Sequence, residues 1–207
     1  MHYKHNKIIY AVTYGLMYLY ARVFFRIRIE SAGNIPAKGG AIIAPNHLTY
    51  WDPPLIAIST GKFIRFMAKE SLFKNPLFGW YIAKLGAFPI KREASDLRAY
   101  KMALKILTNG GWLILFPEGA RGDGVRLGEA KPGLSRIALS CGVPVVPAVI
   151  TYEKTPKLFG RNRVRVRFGK PLHYDEKSGK GKEALKEFGE KIMSSIKELD
   201  KERVFKQ

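Results

Sequence analysis

Short apolar runs alternate with helical patterns along most of this 207-residue chain, and that alternation restricts its fold more than any other feature. Five runs have the length and composition of strands: 41–45, 63–68, 112–116, 144–151 and 161–168. Helical patterns lie between or after them, at 95–108, 133–141 and 182–199. The order of these segments predicts an α/β domain.

The ends of the predicted helices carry recognisable stop and start residues. Ser95 is the predicted N-cap of the first helix, which Asn109 and two glycines end. Gly142 follows the second helix. In the last helix, apolar residues recur on one face, at Leu185, Phe188, Ile192, Ile196 and Leu199. We therefore expect this helix to close the domain core.

The run at 161–168 alternates strictly between apolar and basic residues. A strand here would turn three apolar side chains inward, those of Val164, Val166 and Phe168, and three basic ones outward, those of Arg163, Arg165 and Arg167. Two interpretations stay open. The arginines could protect an exposed edge strand, or they could form a basic strip that faces lipid headgroups or an acidic protein.

Residues 8–27 form the most hydrophobic stretch of the chain and predict a helix of roughly 30 Å. One side would carry apolar residues, namely Val12, Leu16, Leu19, Val23 and Ile27, and another side Tyr10, Tyr14, Tyr18 and Arg22. Such a helix is typical of one that lies in the headgroup region of a membrane. Packing on the domain core and a full membrane span are the alternatives. We predict a membrane-associating segment at 1–28, followed by one domain at 29–207.

The net charge limits the kinds of partner, and the cysteine content limits the covalent cross-links of the chain. Thirty-six Lys and Arg against seventeen Asp and Glu leave a formal net charge of +19. A field of this size favours a polyanionic partner, which could be nucleic acid, an anionic membrane or a phosphorylated substrate. Cys141 is the only cysteine, so no intrachain disulfide can form, and its position in an apolar helix end favours a structural thiol.

His47 is the histidine best placed for chemistry, because it directly follows an apolar strand. Ligands bind at the carboxyl ends of strands in α/β sheets. If the chain turns after His47, Asp52 can reach the imidazole, fix its tautomer and leave the other nitrogen free as a general base. Asp52 could instead be a plain N-cap of the next helix, with Pro53 in the first turn. The two roles are compatible.

A second polar group follows the apolar strand at 112–116. Glu118, Gly119 and Arg121 come directly after it, and Gly119 can adopt a positive φ angle. The guanidinium of Arg121 could bind a phosphate, and the carboxylate of Glu118 could orient that guanidinium. A surface ion pair of little energetic weight is the alternative.

Several other site types lack their motifs in this sequence. There is no G-x-S-x-G element for a serine hydrolase, and the glycines after residue 118 do not form a P-loop or a dinucleotide-binding motif. No Cys/His spacing indicates zinc, so no metal site is expected. The segment 72–85 is rich in Phe, Trp and Leu. It could line an acyl-chain groove, dip into lipid or form a core helix.

Taken together, these motifs resemble the glycerolipid acyltransferase family, and specifically the 1-acylglycerol-3-phosphate O-acyltransferases. The segment from His47 to Asp52 matches the family's H-x-x-x-x-D block. The segments at 86–92, 116–121 and 143–147 resemble its second, third and fourth blocks, in the family's order. Lys69 and the segment at 131–133 resemble further basic elements. Ala120 departs from the family pattern, which often has Thr or Ser there.

The resemblance implies a fold and a reaction. The fold would be a mixed central sheet flanked by helices. His47, oriented by Asp52, would act as the general base that activates the sn-2 hydroxyl of 1-acylglycerol 3-phosphate. That hydroxyl would attack an acyl thioester, giving phosphatidic acid. The residues that would bind the phosphorylated acceptor are Lys69, Arg92, Glu118, Gly119 and Arg121.

The resemblance also implies partners. The acyl donor would be acyl-CoA or acyl carrier protein, used as a co-substrate, with no resident cofactor. The enzyme would lie peripherally on the anionic cytoplasmic face of the cell membrane and meet lysophosphatidic acid there. A nucleic-acid binder is not expected, because the basic residues are spread along the chain and do not cluster with aromatic residues. Another lysolipid, or glycerol 3-phosphate, is the alternative acceptor.

Overall fold

The computed structural model describes residues 7–91, 96–121, 127–158, 160–175, 179 and 181–201. The helices α1 to α6 span Lys7–Phe24, Asp52–Thr60, Pro76–Lys84, Leu97–Thr108, Pro132–Cys141 and Lys182–Lys201. The strands β1 to β7 span Phe25–Glu30, Ala41–Pro45, Ile64–Lys69, Ala87–Ile90, Trp112–Ile114, Val145–Tyr152 and Asn162–Phe168. Short 3-10 turns lie at Ala32–Asn34 and Glu70–Phe73.

The seven described strands form one sheet in the order β1-β7-β6-β2-β5-β3-β4. Strands β6 and β7 pair antiparallel, and the other neighbours pair parallel. The predicted mixed sheet is therefore confirmed. The carboxyl ends of β2, β3, β5 and β6 meet at one edge, which is the edge where α/β proteins bind ligands.

Helices cover both faces of the sheet. Helices α4, α5 and α6 pack against one face, and α1 and α2 pack against the other. Strand β2 lies between them and is buried along its whole length, which is typical of a parallel strand covered on both sides. In α6, the apolar face predicted from the sequence packs into the core.

Two strands were not predicted. Strand β1 occupies residues that the sequence analysis gave to the N-terminal helix, which ends at Phe24 and not near residue 27. The cause is visible in the sequence Phe25–Glu30, where apolar and charged residues alternate with period two. Strand β4 contains Pro89, which is tolerated because β4 lies at the edge of the sheet. Helix α4 also begins one residue later than predicted, with Asp96 as its N-cap.

The basic strand β7 differs from both interpretations of its sequence. It is an interior strand, because β1 lies beyond it. Val164, Val166 and Phe168 are buried as predicted. Arg165 and Arg167, however, do not face outward, because they reach Glu30 on β1 at 3.3 and 2.6 Å. These two arginines therefore join two strands rather than forming an exposed strip.

Helix α1 presents different faces to the domain and to the outside. Its apolar stripe, consisting of Ile8, Val12, Leu16, Leu19 and Val23, is exposed. Tyr10 and Tyr14 were expected at a water boundary, but they turn inward and donate hydrogen bonds to the carbonyls of Lys62 and Ile58. Ala21 is buried in the core below β1. No helix in the described part of the chain is both long and apolar enough to span a bilayer.

Candidate active site

Asn46 fixes the point at which the chain leaves strand β2. Its side-chain amide donates to the carbonyl of Ile150 at 3.0 Å and accepts from the Ile150 amide at 2.8 Å. These two bonds extend the pairing of β2 with β6 by one residue beyond Pro45. The next residue, His47, therefore starts from a defined position at the sheet edge.

His47 and Asp52 meet in the turn that follows. Nδ1 of His47 lies 2.8 Å from Oδ2 of Asp52, and the two residues are only 8% and 0% exposed. The same carboxylate oxygen accepts from the backbone amides of Leu48 and Thr49 at 2.5 and 2.8 Å. One carboxylate thus shapes the turn and holds the imidazole, which leaves Nε2 as the nitrogen available for a substrate proton.

The N-cap interpretation of Asp52 is wrong. Helix α2 begins at Asp52, and the residue that caps it is Trp51, without a side-chain hydrogen bond. Pro53 and Pro54 carry no N–H groups, and the amide of Leu55 donates to the Trp51 carbonyl. The first turn of α2 therefore offers no amide that competes for the carboxylate. Two prolines leave Asp52 free to face His47.

Tyr152, at the end of β6, is a site residue that the sequence analysis missed. Its hydroxyl donates to Oδ1 of Asp52 at 2.6 Å, and the Thr49 hydroxyl lies 2.9 Å from the same oxygen. Burial, together with the neighbouring Asp52 charge, raises the pKa of the Tyr152 hydroxyl, so it remains a protonated donor. The one available signal was its place directly after a predicted strand.

Phe116 supports the face of the imidazole. Its ring stacks on that of His47 with centroids 3.8 Å apart and an angle of 18° between the planes. Just before it, the amide of Leu115 donates to the carbonyl of Ile43 at 3.0 Å, which holds this segment against β2. The imidazole is therefore fixed in its plane by Asp52 and across its face by Phe116.

His47 opens into a cavity of about 750 Å³. Two of the predicted phosphate-binding residues, Lys69 and Arg121, lie on its wall. The wall is otherwise largely apolar and comes from α1, α2, β3 and α3, with Met17, Ile58, Phe66, Ile82 and Leu85 among its residues. The cavity thus combines one buried imidazole, two cations and largely apolar walls.

Arg121 is held at the cavity by Tyr50. The guanidinium lies 3.9 Å from the centroid of the Tyr50 ring, and it donates to the Tyr50 hydroxyl at 3.0 Å. Both side chains are exposed. The stacking leaves the remaining donors of the guanidinium available for an anion. Tyr50 was not assigned a role from the sequence.

Glu118 and Gly119 shape the loop beside Arg121. Gly119 has a φ of 72°, as predicted for a glycine at this turn. Glu118 accepts from the backbone amide of Gly128 at 3.0 Å, and the Lys131 amide donates to Pro117 at 2.8 Å. Among the described residues, Glu118 and Gly119 do not line the cavity.

The remaining predicted site residue, Arg92, lies outside the described residues. The segment before it is strand β4, which pairs with β3 so that Ile90 lies opposite Lys69. Residues 87–90 of the second sequence block therefore run alongside the strand that carries Lys69 to the cavity. Residues of the segment 72–85 also contribute to the cavity wall, so its interpretation as an acyl-chain groove agrees with its position.

The site and the fold define a class of protein. The acyltransferase family profile matches residues 26–151, which contain β2, the His47–Asp52 pair and the Arg121 loop. The chain therefore belongs to the acyltransferase family.

Within that family, several relatives carry the same name. The 1-acyl-sn-glycerol-3-phosphate acyltransferase of Streptococcus pneumoniae is 35% identical over 78% of this chain. The chain spans 60% of that relative's length. The Bacillus subtilis protein of the same name is 32% identical, over 84% of this chain and 88% of its own length. The crystal structure of the 1-acyl-sn-glycerophosphate acyltransferase of Thermotoga maritima matches with a TM-score of 0.72 and 27% identity, covering 95% of this chain and 83% of that one.

Proposed function

We propose that this protein transfers a fatty acyl group from an acyl thioester to the sn-2 hydroxyl of 1-acylglycerol 3-phosphate, giving phosphatidic acid. The observation that carries the proposal is the buried His47–Asp52 pair, 2.8 Å apart, on the wall of a cavity that also holds Lys69 and Arg121. The names of the relatives support the same acceptor. Acyl-CoA or acyl carrier protein would supply the acyl group, and no resident cofactor would be needed.

The reaction would proceed by direct transfer. Nε2 of His47 takes the proton of the acceptor hydroxyl as its oxygen bonds to the thioester carbonyl carbon. Asp52 stabilises the imidazolium that forms, because its carboxylate is already hydrogen-bonded to Nδ1. The tetrahedral oxyanion then collapses, the carbon–sulfur bond breaks, and the imidazolium returns the proton to the departing thiolate. His47 is thereby ready for the next cycle.

The cations at the cavity would bind the acceptor's phosphate. Lys69 and Arg121 are exposed, so they can meet a charged headgroup while the acyl chain lies along the apolar wall. Arg92, Glu118 and Gly119 would complete this phosphate site, as their place in the family's sequence blocks suggests. Binding energy from the phosphate would then position the hydroxyl at His47.

The protein would work from the cytoplasmic face of the cell membrane as a monotopic protein. Support for membrane association comes from α1, whose apolar stripe is exposed while Tyr14 contacts α2 and Tyr10 contacts Lys62 just beyond it. A helix with this arrangement can lie in the interface with its stripe among the acyl chains. The membrane-associating segment proposed at 1–28 would thus act through α1, because its last four residues lie in strand β1 of the sheet, and the acyltransferase domain proposed at 29–207 shares that strand.

The decisive experiment compares several acceptors and two single variants, His47→Ala and His173→Ala. Purified protein is given lysophosphatidate, other lysolipids or glycerol 3-phosphate, each with acyl-CoA and with acyl carrier protein. We expect lysophosphatidate to be preferred and His47→Ala to lower kcat by roughly 10²–10⁴-fold. His173→Ala is the matched control, because His173 lies outside the cavity wall. Full turnover by His47→Ala would overturn the mechanism, and preference for another acceptor would reassign the substrate.

A further inference from the structure

Helix α3 has an outward apolar face that the proposed chemistry does not use. Leu77 is 81% exposed and Trp80 is 51% exposed, and neither lines the cavity. Phe78 and Tyr81, on the same helix, are exposed and also line the cavity. One helix therefore presents apolar side chains to the outside and marks, through Phe78 and Tyr81, a mouth of the cavity.

This face belongs to a well-formed helix. The Asn75 side chain caps α3 by accepting from the Phe78 amide at 3.0 Å, and Pro76 begins the helix. Gly79 packs against the preceding 3-10 turn so closely that a Cβ there would lie 2.8 Å from Cα of Phe73. The turn and the helix thus form one packed unit, and Leu77 and Trp80 lie on its exposed side.

The charge around this face is mainly basic, with Glu70 at the start of the packed 3-10 turn as the acidic exception. Residues 71–91 contain three basic residues, Lys74, Lys84 and Lys91, and no acidic residue. The Lys84 ammonium lies 5.9 Å from the centroid of the Trp80 ring. Tryptophan and leucine flanked by lysines suit the boundary between acyl chains and anionic headgroups. In water the Leu77 side chain stays largely exposed, whereas insertion into a lipid surface would cover it.

We propose that α3 inserts its Leu77–Trp80 face into an anionic lipid surface, as a contact separate from the apolar stripe of α1. The importance of this contact for catalysis rests on the proposed function, since the cavity mouth at Phe78 and Tyr81 would then open at the membrane. A lysolipid could pass from the bilayer into the cavity with its acyl chain shielded from water. The binding itself does not depend on catalysis.

Tryptophan fluorescence tests this contact directly. The chain has three tryptophans, of which Trp112 is buried and Trp51 is packed between Tyr20 and Phe25. We expect vesicles of phosphatidylglycerol with brominated acyl chains to quench Trp80. Trp80→Phe should remove that quenching and keep vesicle binding, because Phe preserves an apolar ring. Quenching that is unchanged in Trp80→Phe would overturn the proposal.

Vesicle sedimentation with an intact α1 measures the contribution of α3. The double variant Leu77→Gln/Trp80→Gln should bind phosphatidylglycerol vesicles about tenfold more weakly or worse, since two apolar side chains no longer enter the lipid. Ile29→Thr is the control, because Ile29 is an exposed apolar residue on β1, at the opposite end of the sheet from β4. Unchanged binding by the double variant overturns the proposal.

Activity separates this proposal from the proposed function. In detergent micelles, where no extended surface has to be met, the double variant should acylate lysophosphatidate at the wild-type rate. Loss of vesicle binding with retained micellar activity supports the α3 contact. If the wild-type protein binds vesicles through Trp80 but acylates no lysolipid, the lipid contact stands and the proposed function fails.

Discussion

Two groups of polar side chains lie at the same edge of the sheet and differ in how firmly they are held. Around the fully buried Asp52, the described residues supply donors from His47, Leu48, Thr49 and Tyr152. Around the exposed Arg121, Tyr50 supplies a ring face and one hydroxyl. Several partners fix the buried group in place, whereas no described residue other than Tyr50 is seen to occupy the donors of Arg121.

The difference follows from what each group would have to do. A general base must present one tautomer at one angle, so its partners are fixed before substrate binds. A phosphate site must meet a flexible headgroup at a membrane surface, and a guanidinium resting on a ring can adapt to it. Changes in the buried group should therefore lower kcat and stability, and changes in the exposed group should mainly raise KM for the phosphorylated acceptor.

The largest effect is expected from Asp52→Asn. The amide keeps the size of the side chain but removes the charge that stabilises the imidazolium and receives five donors. We expect kcat to fall by roughly 10²–10⁴-fold and the free energy of unfolding to fall by about 1–3 kcal/mol. Steady-state kinetics and urea unfolding measure the two quantities.

A matched control for that variant is Glu30→Gln. Glu30 also receives partly buried partners, Arg165 and Arg167, but it lies on β1 beside β7 and not at the cavity. This variant should lose stability and keep kcat. If Asp52→Asn behaves like Glu30→Gln, the buried group would be structural only and the comparison would fail.

Within the buried group, a smaller effect than that of Asp52→Asn is expected from Tyr152→Phe, which removes the 2.6 Å bond to Oδ1 and keeps the ring. One lost hydrogen bond to a charged acceptor corresponds to roughly a tenfold decrease in kcat. KM should change little, because Tyr152 does not line the cavity. Tyr100→Phe is the control, since it removes a hydroxyl contact of 2.7 Å to Ser140 elsewhere. Equal kcat values for the two variants would refute a positioning role for Tyr152.

The sequence predicts the parts of the site that depend on local patterns, but not those that depend on contacts between residues far apart in the chain. His47 and Asp52 were predictable because they lie five residues apart, directly after an apolar strand. Tyr152 was not, because it contacts Asp52 across 100 residues through the pairing of β2 with β6. Phe116 lies in the third sequence block, but its stacking on His47 depends on the pairing of β2 with β5.

The same division explains the errors in the fold. Strand β7 was taken for an exposed strand because nothing near it in the sequence shows that β1 lies alongside, 137 residues away. The partner of Arg165 and Arg167 is Glu30, at the far end of that pairing. The tyrosines of α1 were misplaced for a similar reason, since their inward direction depends on the position of α2.

In the exposed group, Arg121→Gln should act on acceptor binding. Loss of charged hydrogen bonds to a phosphate corresponds to a roughly 10–100-fold increase in KM for lysophosphatidate. Stability should stay unchanged, because the side chain is exposed. Arg163→Gln, which removes a surface pair with Glu153, should leave KM unchanged. A fall in kcat with unchanged KM would place Arg121 in the chemical step and contradict the division between the groups.

The smallest effect is expected from Tyr50→Phe. This variant keeps the ring on which the Arg121 guanidinium rests and removes the hydroxyl that accepts from it at 3.0 Å. Because both side chains are exposed, the lost bond corresponds to an increase in KM of only about twofold. Tyr50→Ala removes the ring as well and should raise KM further, toward the value of Arg121→Gln. If Tyr50→Ala leaves KM at the wild-type value, Arg121 would reach the phosphate without support from Tyr50, and the exposed group would consist of independent cations.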